Sequence, residues 1–390
     1  MLWFGMLFNM ASMQVNIVAR SWLAYDLSGS ALVLGIVAIA RGLPQLLLSP
    51  IGGLAADRFD KRKLLVVSQL AMCFLALINA LLVQFHVIQI WQLVVIGLLQ
   101  GTVFPFTMPT RQALIPQLVS SEDLPNAVAM DSAGRNLNRV AAPSIAGVLI
   151  AWNPTIAFYA VAALYLGSAL TLLRLPSVAA TTDPNRTLRQ QMMFGFQYMI
   201  GRRRLMILMG MAFIAVILGM PYQQMLPVFQ AAVLKVGPER LGFMYAAVGA
   251  GALLGSLVIA YRSDDPRRQT YQLIAGVSFG ALLIPFALSQ TYALSIALLL
   301  LIGFCNEMFM TINRLLVVLN TDQHLYGRVM GTYAMTFSLT PIATLPIGAI
   351  VDGVGAPATI AVAGGLLALA VVALSIILPR IWHKDIAPAT

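Results

Sequence analysis

The chain has 390 residues, of which 59% are hydrophobic and only 10% are charged, and its mean hydropathy is +0.85. The interior of one globular core is too small to bury so much apolar surface, so the composition excludes an ordinary soluble fold and indicates a membrane protein. The net charge of +10 is then interpreted first as an excess of Lys and Arg in cytoplasmic loops, and it requires no nucleic-acid partner.

Apolar stretches of about 20 residues recur along the whole chain, and each is long enough to cross about 30 Å of hydrocarbon. Breaks at charged clusters or at Gly, Pro and Asn separate these stretches. The first six spans are expected at Leu2–Ala24, Ala31–Ala56, Leu64–Phe85, Ile90–Arg111, Pro125–Ala151 and Pro154–Leu175. Six more are expected at Leu205–Leu234, Leu241–Arg262, Gln269–Ser289, Tyr292–Arg314, Arg328–Val351 and Ala356–Pro379. The sequence therefore predicts an all-α membrane protein with twelve transmembrane helices in two six-helix, pseudo-symmetric halves.

A polar stretch between the sixth and seventh spans divides the chain. Within it, apolar residues repeat at helical spacing among polar ones, which favours an amphipathic helix lying in the membrane interface. These residues are Leu188, Met192, Phe196 and Met199. We expect an N-terminal half (1–175), a cytoplasmic linker with this interfacial helix (176–204), a C-terminal half (205–380) and a cytoplasmic tail (381–390).

The basic residues are distributed unequally between the two sets of loops. If the spans alternate in direction, the loops that hold Arg58, Lys61–Lys63 and Arg202–Arg204 lie on one side, whereas the opposite loops hold only Lys235 and Arg240. Because cytoplasmic loops carry the excess of Lys and Arg, both termini are expected in the cytoplasm of a bacterium, with the chain in its inner (plasma) membrane.

The sequence contains no pattern that indicates a cofactor or an enzyme. Cys73 and Cys305 both fall inside spans and the three histidines are scattered, so neither a disulfide framework nor metal-ligand spacing is present. The phosphate loop and the common hydrolase motifs are also missing. We therefore expect no cofactor, no metal and no ATP hydrolysis.

The loop after span 2 reads "GGLAADRFDKRKL" from Gly52 to Leu64. Gly53 permits close approach of a neighbouring helix, Asp57 follows at the membrane edge, and the bases from Arg58 to Lys63 are expected to face the headgroups. A similar stretch, "IAYRSDDPRRQTYQL", follows span 8, and Arg111 after span 4 matches Arg314 after span 10. Two related halves are typical of a transporter in which one half rocks against the other.

This loop resembles the G-x-x-x-D-R-x-G-R-[RK] signature between helices 2 and 3 of the major facilitator superfamily. The stretches Ser21–Arg62, Pro109–Leu149 and Tyr326–Tyr333 are similar to the enterobactin-exporter and macrolide-efflux branch. One departure is Gly97, three residues before the "QG" of helix 4, where drug-proton antiporters often carry an arginine.

The resemblance implies a secondary active transporter, expected to be a monomer. It also implies a conformational latch, in which Asp57 would interact with the N-terminal end of helix 11 near Gly327–Arg328. The latch residues by this resemblance are Gly53, Asp57, Arg58 and Arg62.

Charged residues inside the spans must face protein or water, because a charge at the bilayer centre costs about 2.5–3.5 kcal/mol on insertion scales. Glu307 is the only acid deep in the second half, and we interpret it as the proton-carrying acid. A buried pair with an Arg of a neighbouring helix is the alternative. Arg41 lies mid-span, where it would hold an anionic substrate or pair with an acid. Arg20 and Asp26 are expected to snorkel toward the outer end of span 1.

Three charged residues of span 5 share one helix face, because Asp131, Arg135 and Arg139 are spaced i, i+4 and i+8. Asp131 is able to pair with Arg135 and is the second candidate for proton coupling. We favour a structural charge network over substrate binding for the basic residues, namely Arg111, Arg135, Arg139 and Arg314.

Amide and thioether side chains recur in the spans that line the central cavity of this superfamily. The expected cavity residues are Asn9, Met13, Gln14, Asn16, Arg41, Tyr222, Gln223, Met225, Asn306 and Met310. Because Met repacks around varied ligands, a pliable pocket for amphipathic molecules is indicated. The sequence thus predicts proton-driven efflux of small amphipathic molecules such as drugs, macrolides or siderophores, with the lipid bilayer and protons as the other partners. A lipid or lysolipid flippase and a non-transporting membrane receptor are the alternatives.

Overall fold

The computed structural model describes residues 2–120, 122–174, 198, 201–261, 265, 267–322 and 325–377. Within these ranges the chain is almost entirely helical and no β-strand is present. The first six helices are α1 (Leu2–Ser28), α2 (Ala31–Arg58), α3 (Lys61–Gln84), α4 (Ile90–Leu118), α5 (Leu124–Trp152) and α6 (Pro154–Leu173). The later ones are α7 (Arg203–Ile214), α8 (Pro238–Tyr261), α9 (Arg268–Leu288), α10 (Tyr292–Leu319), α11a (Tyr326–Phe337), α11b (Thr340–Val354) and α12 (Ala356–Ile377).

Two expected spans are interrupted. After α7 the chain continues through two π-helical turns, Ala215–Gly219 and Phe229–Val233, and two short helices between them, Pro221–Gln224 and Leu226–Val228. Pro221 and Pro227 lack the N–H that a continuous helix would need, so the predicted span Leu205–Leu234 corresponds to a membrane-spanning segment, Arg203–Val233, that is divided into several helical elements. Pro341 has the same effect at the start of α11b, after a break at Ser338–Leu339.

Side-chain caps begin several helices right after short loops. Asp60 accepts the Lys63 backbone N–H at 3.0 Å and begins α3. Asn153 Oδ1 accepts the Thr155 N–H at 2.8 Å, and Pro154 follows it at a position where no N–H is needed. Gly29, with φ of 62°, ends α1 in a conformation that glycine adopts without strain. These loops are so short that consecutive helices must run antiparallel.

Ten helical segments of the described chain are long and apolar enough to cross a membrane. The two further long helices are α1 and α5, whose inner positions include Asn9, Asn16, Asp131 and Arg135. All twelve expected spans therefore correspond to helical segments, although α4 continues past the expected end at Arg111 to Leu118.

Glycines allow the helices to cross at short distance. In the α2–α4 pair, a Cβ on Gly101 would collide with the carbonyl oxygen of Arg41. In the α8–α10 pair, a Cβ on Gly303 would collide with the carbonyl oxygen of Val248. A Cβ on Gly280 of α9 would lie 2.5 Å from the Gly364 carbonyl oxygen of α12. Such contacts of small residues replace the hydrophobic effect as a packing force between helices in lipid. The second and fourth helices of each expected half thus cross in the same way.

The chain forms two compact units that do not follow chain order. One contains Met1–Asn185, Gln224–Ala246 and Thr344–Ala349, and the other contains Arg186–Gln223, Ala247–Ala343 and Ile350–Thr390. The division of the chain at residues 175 and 205 stays a prediction.

Within the first unit, α5 and α2 pack closely on later segments of the chain. A Cβ on Gly147 of α5 would lie 2.8 Å from the Cα of Gly242 at the start of α8. A Cβ on Gly35 of α2 would lie 2.7 Å from the Cα of Leu345 in α11b. Bulk at either glycine would force the backbones apart, because backbone atoms have no alternative rotamer.

Candidate transport cavity

A cavity of about 180 Å³ lies in the first unit between α1, α4 and α5. Each helix supplies one face, because the residues from a helix recur at three- and four-residue spacing. The lining residues are Asn9, Met10, Met13 and Gln14 of α1, Phe104, Thr107, Met108 and Arg111 of α4, and Arg135, Asn138 and Arg139 of α5. The predicted residues Asn9, Met13 and Gln14 are among them.

Hydrogen bonds fix Asn9 and Arg111 at one end of this cavity. Arg111 is 7% exposed, and its Nη1 and Nη2 donate to Asn9 Oδ1 at 3.1 Å and to the Met6 carbonyl oxygen at 3.0 Å. Asn9 Nδ2 in turn donates to Gln69 Oε1 at 2.8 Å. The amide of Asn9 is therefore oriented by both neighbours, and its oxygen is directed to the guanidinium. Gln69, buried on α3, is part of this hydrogen-bond network, and the sequence analysis did not identify it.

The α5 residues form the opposite wall. Arg135 Nη1 forms an ion pair with Asp131 Oδ2, as the i, i+4 spacing indicates, and Arg135 Nη2 donates to Ser132 Oγ at 3.1 Å. Asp131 is buried, and its Oδ1 has no hydrogen-bond partner in the described structure. Asn138 Nδ2 donates to the Leu7 carbonyl oxygen at 3.3 Å, which holds α5 against α1. The proton-coupling role of Asp131 stays a prediction.

Arg20 lies in a second buried polar cluster, so the prediction that it snorkels to the membrane surface was wrong. Only 5% of the residue is exposed. Its guanidinium donates to Gln100 Oε1 at 3.1 Å and to the Leu93 and Val37 carbonyl oxygens at 2.9 and 3.3 Å. Helices α2 and α4 supply these acceptors beside α1, so both terminal nitrogens of the long side chain have partners inside the protein, whereas its Nε has none in the described structure.

Gly97 provides the space for that guanidinium. A Cβ on Gly97 would collide with Arg20 Nη2, so any larger residue at position 97 would displace the arginine. Asn16 belongs to the same cluster, because its Nδ2 donates to Gln100 Oε1 at 3.3 Å. Asn16 is 2% exposed and is not one of the residues lining the cavity described above.

Arg41 does not line the cavity, but it contacts a residue that does. Its guanidinium carbon lies 5.4 Å from the centre of the Phe104 ring, a cation–π arrangement, and Phe104 itself lines the cavity. The sequence singled out the charge of Arg41, but Phe104 gave no distinct signal among so many apolar residues.

In the seventh segment, Tyr222 packs inside the second unit. Tyr222 has no exposed surface, and its ring makes edge-to-face contacts with Phe279 at 6.2 Å and Phe286 at 6.4 Å. Gln223 Nε2 donates to the Tyr222 hydroxyl at 3.4 Å. Met225, which belongs to the first unit, is also fully buried. The edge-to-face contacts of the Tyr222 ring contribute to packing, whereas its expected role in the cavity stays a prediction.

On α10, Glu307 is partly buried. Its Oε1 accepts a hydrogen bond from Thr311 Oγ1 at 3.2 Å, and the preceding residue, Asn306, is 5% exposed with an unpartnered Oδ1 in the described structure. Met310 is buried one turn away. Arg314, the sequence counterpart of Arg111, is exposed, so these matching positions have different surroundings.

The loop between α2 and α3 is described only in part. Gly53 and Asp57 lie in α2 and Gly327 and Arg328 in α11a, but the surroundings of these four residues fall outside the described structure. Arg58 and Lys63 are exposed, whereas Lys61 is 1% exposed, so the expectation that Lys61 faces the headgroups was wrong. Arg62 Nη2 donates to the Leu173 carbonyl oxygen, which joins α3 to the end of α6. The latch stays a prediction.

A polar contact joins the end of the linker to the loop after α10. Arg202 Nη1 and Nη2 donate to Asp322 Oδ1 at 3.3 Å and Oδ2 at 2.8 Å, and the guanidinium stacks 4.4 Å from the centre of the Tyr198 ring. Tyr198 donates its hydroxyl to Asp322 Oδ2 at 2.8 Å. Desolvation raises the pKa of Tyr198 above its usual value, which is consistent with its hydroxyl acting as a donor to Asp322. The rest of the predicted interfacial helix lies outside the described residues.

These helices, tightly crossed through glycines and holding a cavity lined by thioether, amide and guanidinium side chains, define a multi-pass membrane transporter. The sequence profile of the transmembrane secretion effector family matches residues 1–390, and the chain belongs to this family of the major facilitator superfamily. It is therefore a transporter and not an enzyme. The predicted family and fold class are confirmed.

Relatives with assigned roles include exporters of different cargo. The chain is 28% identical to the multidrug efflux pump Tap of Mycolicibacterium fortuitum, over 96% of this chain and 93% of that protein. It is 25% identical to the staphyloferrin A transporter of Staphylococcus aureus, over 89% and 88% of the two chains. It is 24% identical to the enterobactin exporter EntS of Escherichia coli, over 84% and 77%.

Solved structures share the fold at lower identity. The nucleoside transporter NupG matches with a TM-score of 0.76 at 14% identity, over 96% of this chain and 98% of that one. A bacterial homologue of the human lysosomal transporter Spinster, in an inward-facing and unoccupied conformation, matches with a TM-score of 0.76 at 14% identity, over 100% and 98%. At this identity the likeness concerns the fold alone.

Proposed function

We propose that this protein exports small amphipathic molecules from the bacterial cytoplasm by alternating access, in exchange for protons. The observation that carries the proposal is the α1–α4–α5 cavity, in which Met10, Met13 and Met108 lie beside the amides of Asn9 and Gln14. Thioether side chains adapt to apolar surfaces of different shape, and amides both donate and accept hydrogen bonds. Such a lining suits molecules with an apolar body and a few polar groups.

The relatives support the direction and the class of cargo. They include a multidrug efflux pump, an enterobactin exporter and a staphyloferrin A transporter, and two of these three names state export. Export from a bacterial inner membrane, by a monomer whose termini are both cytoplasmic, is the arrangement we propose for this chain.

Glu307 is the acid we assign to proton coupling. It lies in α10 beside the buried Asn306, and Thr311 donates to its carboxyl group. A carboxyl group that exchanges a proton on each side of the membrane converts the proton gradient into a change of charge inside the transporter. Asp131, with one unpartnered carboxyl oxygen, is the second acid we assign to this step.

The test is transport by purified protein in liposomes with an imposed pH gradient, using a panel of drugs, siderophores and lysolipids. We expect at least one drug or siderophore to accumulate against its gradient and accumulation to stop when an ionophore removes the pH difference. Movement of lysolipid alone between leaflets would instead identify a flippase. Binding without transport of any compound would identify a receptor.

A further inference from the structure

The cavity in the first unit has a strongly basic end. Among the described residues that line it, three are arginines, Arg111, Arg135 and Arg139, and none is an acid. We propose that this cavity selects amphipathic molecules that carry an anionic group such as a carboxylate. The inference rests on the proposed export function and specifies the chemistry of its substrates.

The described partners of Arg135 and Arg111 differ in charge. Asp131 pairs with Arg135. Arg111 donates to two neutral acceptors, Asn9 Oδ1 and the Met6 carbonyl oxygen, and forms no ion pair in the described structure. A guanidinium has five N–H donors, so Arg111 keeps donors for a further acceptor. A buried guanidinium whose direct acceptors are neutral is further stabilised by an anion that enters the same low-dielectric space.

The contacts also place the basic and apolar groups at different ends. Along the axis of α1, Arg111 lies at the height of Asn9 and Met6, which it contacts, and Asn138 lies near the height of Leu7. Gln100, earlier on α4, is level with Asn16, so α4 runs antiparallel to α1. Arg111 therefore lies beside residues 6–9 of α1, and Arg139 follows directly after Asn138, which contacts Leu7.

Two apolar residues of the cavity, Met13 and Phe104, lie farther from Arg111 along α1 and α4. Phe104 precedes Arg111 by two turns of α4, or about 10 Å, and it lies on the side of Met13. An amphipathic anion fits this cavity with its charged group at the arginines and its apolar body against Met13 and Phe104. Bidentate contacts of carboxylate with guanidinium would add directional preference to the charge attraction.

Three probes with the same apolar body and different head groups test the proposal. They are 11-(dansylamino)undecanoate, its methyl ester, and 11-(dansylamino)undecylamine. Their affinities are measured by fluorescence with the full-length purified protein in uncharged detergent. We expect the carboxylate to bind at least about tenfold more tightly than the ester, the usual size of one charge-assisted contact, and the amine to bind most weakly.

Matched variants locate the preference. Arg139→Gln and Arg111→Gln are each expected to reduce the acid-over-ester ratio several-fold, and Arg111→Lys is expected to retain part of it. Arg314→Gln removes an exposed arginine at the matching position of α10 and should leave the ratio unchanged. If Arg111→Gln does not fold, Arg139→Gln and Arg111→Lys decide the result.

Several results would overturn the proposal: absence of carboxylate binding by the wild type, equal affinity for acid and ester, tighter binding of the amine, or an unchanged ratio in the Arg139 and Arg111 variants. The proposed function is tested separately by the liposome assay. Gradient-driven export of neutral or cationic compounds without anion preference would reject this inference and keep the function. Anion binding without gradient-driven export would reject the proposed function and keep the preference of the cavity for anions.

Discussion

The guanidinium of Arg20 lies directly over Gly97, in space that any side chain at position 97 would need. The arginine comes from α1 and the glycine from α4, and Gln100, one turn after Gly97, accepts the Arg20 hydrogen bond at 3.1 Å. Gly97 is at the position of helix 4 where drug-proton antiporters often carry an arginine. Here that position has no side chain, and the guanidinium of Arg20 from α1 lies beside it. The two residues depend on each other.

Gly97→Ala should therefore lower stability. Its Cβ would displace Arg20 Nη2 from the Leu93 and Val37 carbonyl oxygens, and losing buried hydrogen bonds of a charged group costs about 2 kcal/mol. Gly210→Ala is the control, because a Cβ on Gly210 would meet open space and only the helix propensity would change. Thermal unfolding of the purified variants measures both. Equal unfolding midpoints for the two variants would show that Arg20 moves without cost.

Asp57→Asn should impair transport while leaving folding and membrane insertion unchanged. The acid is expected to act in the cycle through the N-terminal end of α11a, and the amide would keep its size but lose its charge. Asp60→Ala is the contrasting variant, because Asp60 caps α3 and its loss should reduce stability by about 1 kcal/mol. Initial rates in liposomes and unfolding midpoints separate the two effects. Wild-type turnover by Asp57→Asn would reject the latch.

The orientation of the chain is tested by labelling single cysteines from each side of the membrane. Val87→Cys lies in the exposed loop between α3 and α4, and Asp183→Cys lies in the linker, in a background where Cys73 and Cys305 are replaced. The unequal distribution of bases predicts that Val87→Cys reacts only from outside the cell and Asp183→Cys only from the cytoplasm. Reaction of both from the same side would overturn the arrangement.

The contact of Arg202 with Asp322 should protect the end of the linker from trypsin. Asp322→Asn removes the ion pair, and because both side chains are nearly half exposed the expected effect is small. We expect cleavage at Arg202 to become about twofold to fivefold faster, with less difference at high salt. Asp265→Asn, in the loop before α9, is the control. The same cleavage rate in wild type and Asp322→Asn would show that the contact does not protect this site.

Hydropathy and spacing predicted the helices well, because the bilayer fixes the length of an apolar helix and short loops fix its direction. The pairing of Asp131 with Arg135 also followed from spacing alone. The partner that Arg20 and Asn16 share did not follow from spacing. Both side chains donate to Gln100 on another helix, and no periodicity within α1 specifies which helix lies next to it.

Burial was the other property that the sequence did not specify. Arg111 and Arg314 match in sequence, but one is buried beside Asn9 and the other is exposed. Lys61 is buried although three further bases surround it in the chain. The identity of a residue determines what burial costs, whereas the neighbouring helices determine whether the residue is buried.

Proton release measured during transport tests the central claim most directly. Inside-out vesicles are given an acidic interior, a compound transported in the liposome screen is added, and the pH difference is followed by a fluorescent weak base. Wild-type protein should dissipate the gradient as the compound enters. Glu307→Gln should bind the compound without proton movement, because its neutral amide mimics the protonated acid and carries no exchangeable proton. Unchanged compound-dependent proton release by Glu307→Gln would contradict the role of this acid, and accumulation by the wild type without any proton release would contradict proton-driven export.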